Sequence, residues 1–371
     1  MKDTRQELEP RPRRWAWRIG SLAGVSIYLH ATFLLLLAWI AVSHVGAGHG
    51  LLMAGQGLLL IASVFAVVVL HEMGHALVAR RFGIATRDIT LYPIGGVASL
   101  ERMPERPAQE LLVAIAGPAV NGVLAIAIYL GLRLADVDAR EDPLALGGSL
   151  AVQLLWVNVS LGLFNLLPAF PMDGGRILRA VLAFRMERTR ATVIAARIGR
   201  GLAVVMGIVG LLWSPMLAVV AVFVWMSAEQ EVVLEQTKTT LRGVAVADAM
   251  VSEFQTIAAE TSVDAAASRL ATGFQHDFPV IEDDRVVGML TRDDVLRGLA
   301  LHRPRTPVRE IMHERFPIAG AYEQLDDVLG RLPTDGSAIA VFQHDQLVGL
   351  LDPAHIDELL AMRGMRPGGL A

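Results

Sequence analysis

His71, Glu72 and His75 stand in the order His-Glu-Met-Gly-His. On a helix, residues four apart share a face, so both imidazoles can bind one metal ion while Glu72 stays beside them as a base. This H-E-x-x-H spacing is the pattern of zinc-dependent peptide hydrolysis. The residues before it, 58–70, carry no charge. An acid and two histidines attached to such a run are costly to bury, and a metal ligated by the imidazoles would offset that cost.

Two histidines do not complete a catalytic zinc site, which usually takes three protein ligands and keeps one open position. The chain has no cysteine, so the third ligand must be His, Asp or Glu, and thiol catalysis and disulfides are excluded. The best placed candidate is Asp173, directly after an apolar segment. Pro168 and Pro171 interrupt helical hydrogen bonding before it, and Gly174 and Gly175 permit sharp turning after it. Glu72 would take a proton from water and return it to the leaving amine. Asn121 and Asn165 are polar in apolar surroundings, which makes each a candidate oxyanion or substrate donor, or else an interhelical hydrogen bonder. His30, His44, His49, His276, His302, His313 and His344 lack paired ligand spacing.

These residues need a scaffold. Of the 371 residues 53% are hydrophobic, and the mean hydropathy is +0.47. The apolar excess lies in roughly the first 230 residues, as expected of a multispanning membrane region. Six segments are long enough to span, at 27–45, 51–78, 111–132, 144–167, 193–209 and 211–226. The last two are split only by Trp213-Ser214-Pro215 and also fit a re-entrant pair. No cleavable signal peptide is expected, because the first apolar run is too long and lacks a small-residue cleavage site. A net charge of -4 gives no reason to expect nucleic acid as a partner.

Arginine alternates between connections. The N-terminus carries Lys2, Arg5, Arg11, Arg13, Arg14 and Arg18; the second-to-third connection carries Arg80, Arg81, Arg87, Arg102 and Arg106; the fourth-to-fifth carries Arg176, Arg179, Arg185, Arg188 and Arg190. The third-to-fourth connection is acidic, with Asp136, Asp138, Glu141 and Asp142. By the positive-inside rule both termini and the Arg-rich loops are cytoplasmic, in a multi-pass plasma-membrane protein.

From about residue 230 the chain reads as α/β, and it repeats. Val246-Ala247-Asp248-Ala249-Met250 matches Val308-Arg309-Glu310-Ile311-Met312, and the stretch from Phe278 to Leu290 matches that from Ala338 to Leu351. Each unit is expected to run strand, helix, strand, turn, strand, helix. The expected boundaries are an N-terminal segment at 1–26, a membrane domain at 27–229, a linker at 230–243, repeats at 244–304 and 305–362, and a tail at 363–371.

The chain resembles the site-2 proteases, intramembrane zinc metalloproteases of the M50 class, in the subgroup with a C-terminal CBS pair. Three motifs carry the resemblance: His71-Glu72-x-x-His75, Gly117-Pro118-x-x-Asn121, and Asn165-x-x-Pro168-x-x-Pro171-x-Asp173-Gly174-Gly175. The resemblance implies a fold of about six transmembrane helices followed by an α/β CBS tandem. It implies one zinc ion per chain on His71, His75 and Asp173, with Glu72 as catalytic acid/base. It also implies cleavage of transmembrane proteins within the lipid bilayer, in regulated intramembrane proteolysis. Residues 91–100 are similar to the family's membrane-associated β-hairpin, whose edge could hold an unwound substrate by β-addition, or which could be a plain glycine turn. Gly288-Met289-Leu290-Thr291-Arg292-Asp293-Asp294 resembles the CBS signature in which Thr291 and Asp294 would bind an adenine nucleotide. The second repeat departs, with Asp352 and His355 at those positions, so one nucleotide site at most is expected; the alternative is a structural tandem that forms a homodimer. Two rival readings are an inactive membrane-protein-binding relative, which intact His71, Glu72, His75 and Asp173 argue against, and a CBS-regulated transporter, which would need polar residues spread along a path.

Overall fold

The computed structural model describes residues 15–46, 50–93, 95–100, 104, 106–138, 148–301, 304–329, 332–333 and 336–362. The basic residues Lys2, Arg5, Arg11, Arg13 and Arg14, and also His49, Arg102, Glu141, Asp142, His302, the tail at 363–371 and the side chain of His44, lie outside them. The chain divides into two units, Met1–Val232 and Val233–Ala371.

The first unit opens with a hairpin, β1 (Ala16–Leu22) and β2 (Val25–His30). The sequence suggested a span beginning at residue 27. Instead Val25, Ile27 and Leu29 alternate with Ser26, Tyr28 and His30, and the apolar face packs on a core with Phe33, Phe65, Met73, Ile89 and Leu91. Helix α1 (Ala31–Gly46) begins only after the strand, and α2 (Gly50–Arg81) follows. Then come β3 (Thr86–Tyr92) and β4 (Gly95–Leu100), completing a sheet of order β1-β2-β3-β4. Strands β2 and β3 are parallel, with Ile27 opposite Ile89. A parallel pair needs a crossover, and α1 with α2 supplies it. The sheet is therefore tied to the end of α2 that carries the histidines.

Helices α3 (Pro107–Leu134), α4 (Leu150–Asn165), α5 (Asp173–Ala183), α6 (Arg188–Trp213) and α7 (Pro215–Leu241) follow. Proline opens α3 and α7, where its missing N–H is not needed. Each of the six apolar segments contributes a helix among the described residues. Four of these helices are long and apolar enough to cross a membrane: Leu52–Arg81, Pro107–Leu134, Arg188–Trp213 and Pro215–Leu241. At 16 residues, α1 and α4 reach about 24 Å, short of a ~30 Å hydrocarbon core. Among the described residues, then, four of the six expected spans reach full crossing length, and the last pair are two long helices joined at Ser214 rather than short re-entrant ones. Leu35, Leu52, Val123 and Leu211 are among many large apolar side chains left exposed on these helices, as a lipid-facing surface requires.

The second unit holds the repeats. The first comprises β5 (Ile257–Ala258), α8 (Val263–Thr272), β6 (Phe278–Glu282), β7 (Arg285–Leu290) and α9 (Arg292–Ala300). The second comprises β8 (Ile318–Gly320), α10 (Leu325–Leu329), β9 (Ile339–Gln343), β10 (Gln346–Leu351) and α11 (Pro353–Met362). Both sheets share one pattern: the first two strands are parallel and the last two form an antiparallel hairpin. The hairpin turns match as well. Asp283 and Asp284, like His344 and Asp345, all have positive φ, as two-residue hairpin turns demand. Packing does not follow the sequence boundary. Val246 joins the core of Ile339, Val341 and Leu351, while Val308 joins that of Ile257, Val280 and Leu290. Each repeat lends its leading segment to the other's core.

Candidate metal centre

Helix α2 presents His71 and His75 one turn apart, with ring centroids 4.8 Å apart and planes at 81°. Their closeness to α3 depends on two glycines. A Cβ at Gly117 would sit 2.6 Å from Cε1 of His75 and 2.7 Å from Cε1 of His71. One at Gly74 would meet the Ala116 carbonyl oxygen and a Val120 methyl, both at 2.8 Å. Only hydrogen fits at either place, so the two helices meet where the two imidazoles are. Asp173 does not lie in a loop: it is the first residue of α5, after the proline-broken segment that follows α4. Gly174 and Gly175 pack directly on the backbone of Leu166, Leu167 and Ala169, which fixes the carboxylate's direction.

The hydrogen bonds determine what the three groups can hold. His75 Nδ1 lies 2.7 Å from the Val113 carbonyl oxygen, which only accepts, so Nδ1 carries the proton. His71 Nδ1 donates in the same way to Asn121 Oδ1 at 2.9 Å. On neutral rings both Nε2 atoms then offer lone pairs. They lie 3.2 Å from each other, and each lies 3.2 Å from Asp173 Oδ2. That oxygen is buried and receives no hydrogen bond. Three acceptors thus converge with no proton between them, and His71, His75 and Asp173 are 5%, 6% and 6% exposed. With both rings neutral such a group is repulsive, and a bound cation or a shared proton relieves it. Ligands on a tetrahedral zinc with bonds of 2.0–2.1 Å stand about 3.3 Å apart, so the spacing fits. Among the described residues, no other group of three His, Cys, Asp or Glu converges in this way.

Glu72 is half-buried beside this group and faces the sheet. A Cβ on Gly96 would lie 3.3 Å from the Glu72 Cγ. Gly96 belongs to β4, whose outer edge pairs with no other strand among the described residues. The sequence singled out Asn121 as a donor to substrate. Asn121 is fully buried and its oxygen accepts from His71 across the helix pair, as the interhelical alternative expects, while its amide nitrogen has no partner. Asn165 closes α4 at partial exposure, ahead of the segment leading to Asp173. The packing roles of Gly74 and Gly96 and the acceptor on Val113 were missed. Small residues facing a helix and backbone carbonyls leave no chemical signature in a sequence.

In the second unit, Thr291 caps α9 and Asp294 returns the bond, a reciprocal capping box. The Thr291 hydroxyl donates to Asp294 Oδ2 at 2.6 Å, His313 Nε2 lies 3.1 Å from the same oxygen, and Arg297 donates to Oδ1 at 3.2 Å. The pair is thus already engaged within the fold. In the second repeat Asp352 accepts from the Ala354 backbone and His355 faces Glu358 at 3.6 Å.

The chain matches the model of peptidase family M50 over residues 59–138 and 147–208, and that of the CBS domain over 246–301. It is 31% identical over 343 residues to a zinc metalloprotease of Methanocaldococcus jannaschii, covering 91% of this chain and 94% of that one. It is 33% identical over 372 aligned positions to Rip3 of Mycobacterium tuberculosis, covering 92% of each. Among solved structures, the site-2 protease from Methanocaldococcus jannaschii is 39% identical, covers 59% of this chain and 95% of its own, and gives a TM-score of 0.43.

The geometry makes Gly117 and Asn121 testable without any substrate. Gly117→Ala should push a methyl into both imidazoles and abolish stoichiometric zinc binding. Asn121→Ala should leave the ligands in place but free His71 to rotate, weakening zinc affinity about 10–100-fold. Metal analysis and chelator competition on the purified variants check both outcomes.

Proposed function

The chain belongs to peptidase family M50, the site-2 proteases, with a C-terminal CBS pair, and from that premise we propose that it cleaves transmembrane proteins inside the bilayer at one zinc ion held by His71, His75 and Asp173. The observation that carries this reading is the convergence of three buried acceptor atoms at 3.2 Å. When bound, zinc supplies a Lewis acid that polarises the scissile carbonyl and acidifies water towards neutrality. Glu72 is the acid/base: it takes the proton of the attacking water and hands it to the leaving amide nitrogen. The Val113 carbonyl and Asn121 keep both Nε2 lone pairs directed inward. The apolar helices around the site keep bulk water from competing with the substrate chain.

A helical substrate hides its amides in its own hydrogen bonds and must unwind first. The free edge of β4 offers a strand for the unwound segment to pair with, and Gly96 sets that edge against Glu72. Both termini face the cytoplasm of the plasma membrane by the arginine distribution, and the protease acts in regulated intramembrane proteolysis. Asn165 and the unpartnered amide nitrogen of Asn121 are the side-chain candidates for the developing oxyanion.

Replacing the base without touching a ligand separates binding from chemistry. Glu72→Gln should hold stoichiometric zinc and lose cleavage of a helical membrane substrate, whereas His71→Ala and Asp173→Ala should lose both. Near-normal turnover by Glu72→Gln contradicts the mechanism.

The CBS tandem is proposed as the regulator, taking one adenine nucleotide at Thr291 and Asp294 and offering a surface for homodimerisation. The ribose would have to replace the His313 or Arg297 contact to Asp294. Asp294→Ala should weaken nucleotide binding by roughly 1.5–3 kcal/mol if the lost bond is buried. Calorimetry with AMP and ATP measures this; no heat with either leaves the tandem a scaffold.

A further inference from the structure

Arg179 lies on α5 with Asp173 and is 1% exposed. Its Nε donates to Glu110 Oε1 on α3 at 2.7 Å, and a terminal nitrogen lies 2.6 Å from the same oxygen. Its other terminal nitrogen donates to Glu231 on α7. Arg188, at the start of α6, donates to Glu110 Oε2 and to the Pro104 carbonyl, each at 2.9 Å. The Arg179 guanidinium also lies over Phe170, 5.2 Å from the ring centre, in the segment that leads into Asp173. Burial alone would lower the arginine's pKa, but Glu110 and Glu231 outweigh it and hold the pKa above its ordinary value, so the charge is permanent.

None of these groups touches the histidines, yet they join the elements that decide where the ligands stand. Helix α3 carries Val113, Gly117 and Asn121, which set both imidazoles. Helix α5 carries Asp173 and is only 11 residues long. The Arg179–Glu110 fork fixes α5 to α3. The second arm reaches α7, and α7 has another attachment. Its last residue, Leu241, is fully buried in the core of the tandem with Val244 and Val246. One helix thus holds the ligand-bearing helix by a charge and ends inside the CBS pair.

We propose that Arg179 is a positioning residue for Asp173, and that its ion pair with Glu231 makes the zinc affinity of the site depend on α7, the helix that runs on into the CBS tandem. The proposal rests on the reading of His71, His75 and Asp173 as zinc ligands. Lysine cannot replace Arg179, because a single ammonium cannot fork between two carboxylates on different helices.

The test is zinc affinity of the full-length protein, measured by competition with a chromogenic chelator, with thermal unfolding of the metal-free form alongside. Arg179→Met and Arg179→Lys should each weaken zinc binding about tenfold or more, in the range seen for outer partners of metal ligands. Glu231→Gln should weaken it by about threefold to tenfold. Glu229→Gln is the control: its pair with Arg200 also ends on α7, but joins it to α6 at an exposed position, and its loss should leave zinc affinity unchanged. Wild-type affinity in Arg179→Met and Glu231→Gln, with His71→Ala still losing zinc, overturns this proposal and leaves the ligand assignment standing. Equal weakening in Glu229→Gln and Glu231→Gln also overturns it. If the Arg179 variants do not fold, the partly exposed Glu231 decides alone. A wild-type protein that binds no zinc removes the ligand assignment, and this inference with it.

Discussion

Three acceptor atoms held 3.2 Å apart, away from water, are the constraint on which the rest of this unit depends. Without a cation or a shared proton their lone pairs repel, and the protein must hold them there by other contacts. It does so with glycines that let α2 and α3 approach, with acceptors behind each imidazole, and with a short helix that begins on the carboxylate. Removing one partner from a buried charge group is typically worth several kcal/mol. That explains why so much of the packing around α2, α3 and α5 is specific rather than generally apolar.

How much of this was readable in the sequence depended on the kind of interaction. His71, Glu72 and His75 announce themselves because helical spacing and metal chemistry use the same four-residue period. Asp173 was readable because prolines and glycines mark irregular backbone beside it. The first strands were not. Val25, Ile27 and Leu29 alternate for only six residues and run straight into the apolar α1, so the window that finds spans absorbed them. Asn121 was found as a polar residue in an apolar helix, but its direction was not. An amide facing a substrate and an amide facing a ligand look alike until the partner is seen. Arg179 was counted among loop arginines, because nothing in Ile177-Leu178-Arg179-Ala180 reveals that carboxylates on two other helices meet it.

The tandem shows the same division. Its repeat was legible from matching strands and turns, and the structure reproduces the order of elements in both halves. What the repeat conceals is the exchange of leading segments, since Val246 and Val308 each complete the opposite core. The two halves therefore stand or fall together. The capping box of Thr291 and Asp294 adds a second lesson. The residues that the CBS signature reserves for ligand also start a helix, so a match to the signature does not by itself separate binding from helix capping.

The central claim is that one zinc ion sits on two imidazoles and one carboxylate. X-ray absorption at the zinc edge on the full-length protein tests it most directly, because imidazole rings leave a distinct outer-shell scattering pattern that carboxylates do not. The account predicts one zinc per chain, oxygen and nitrogen donors only at about 2.0–2.1 Å, and a best fit with two imidazoles. A fit with one or three imidazoles, or a zinc content well below one, would contradict it.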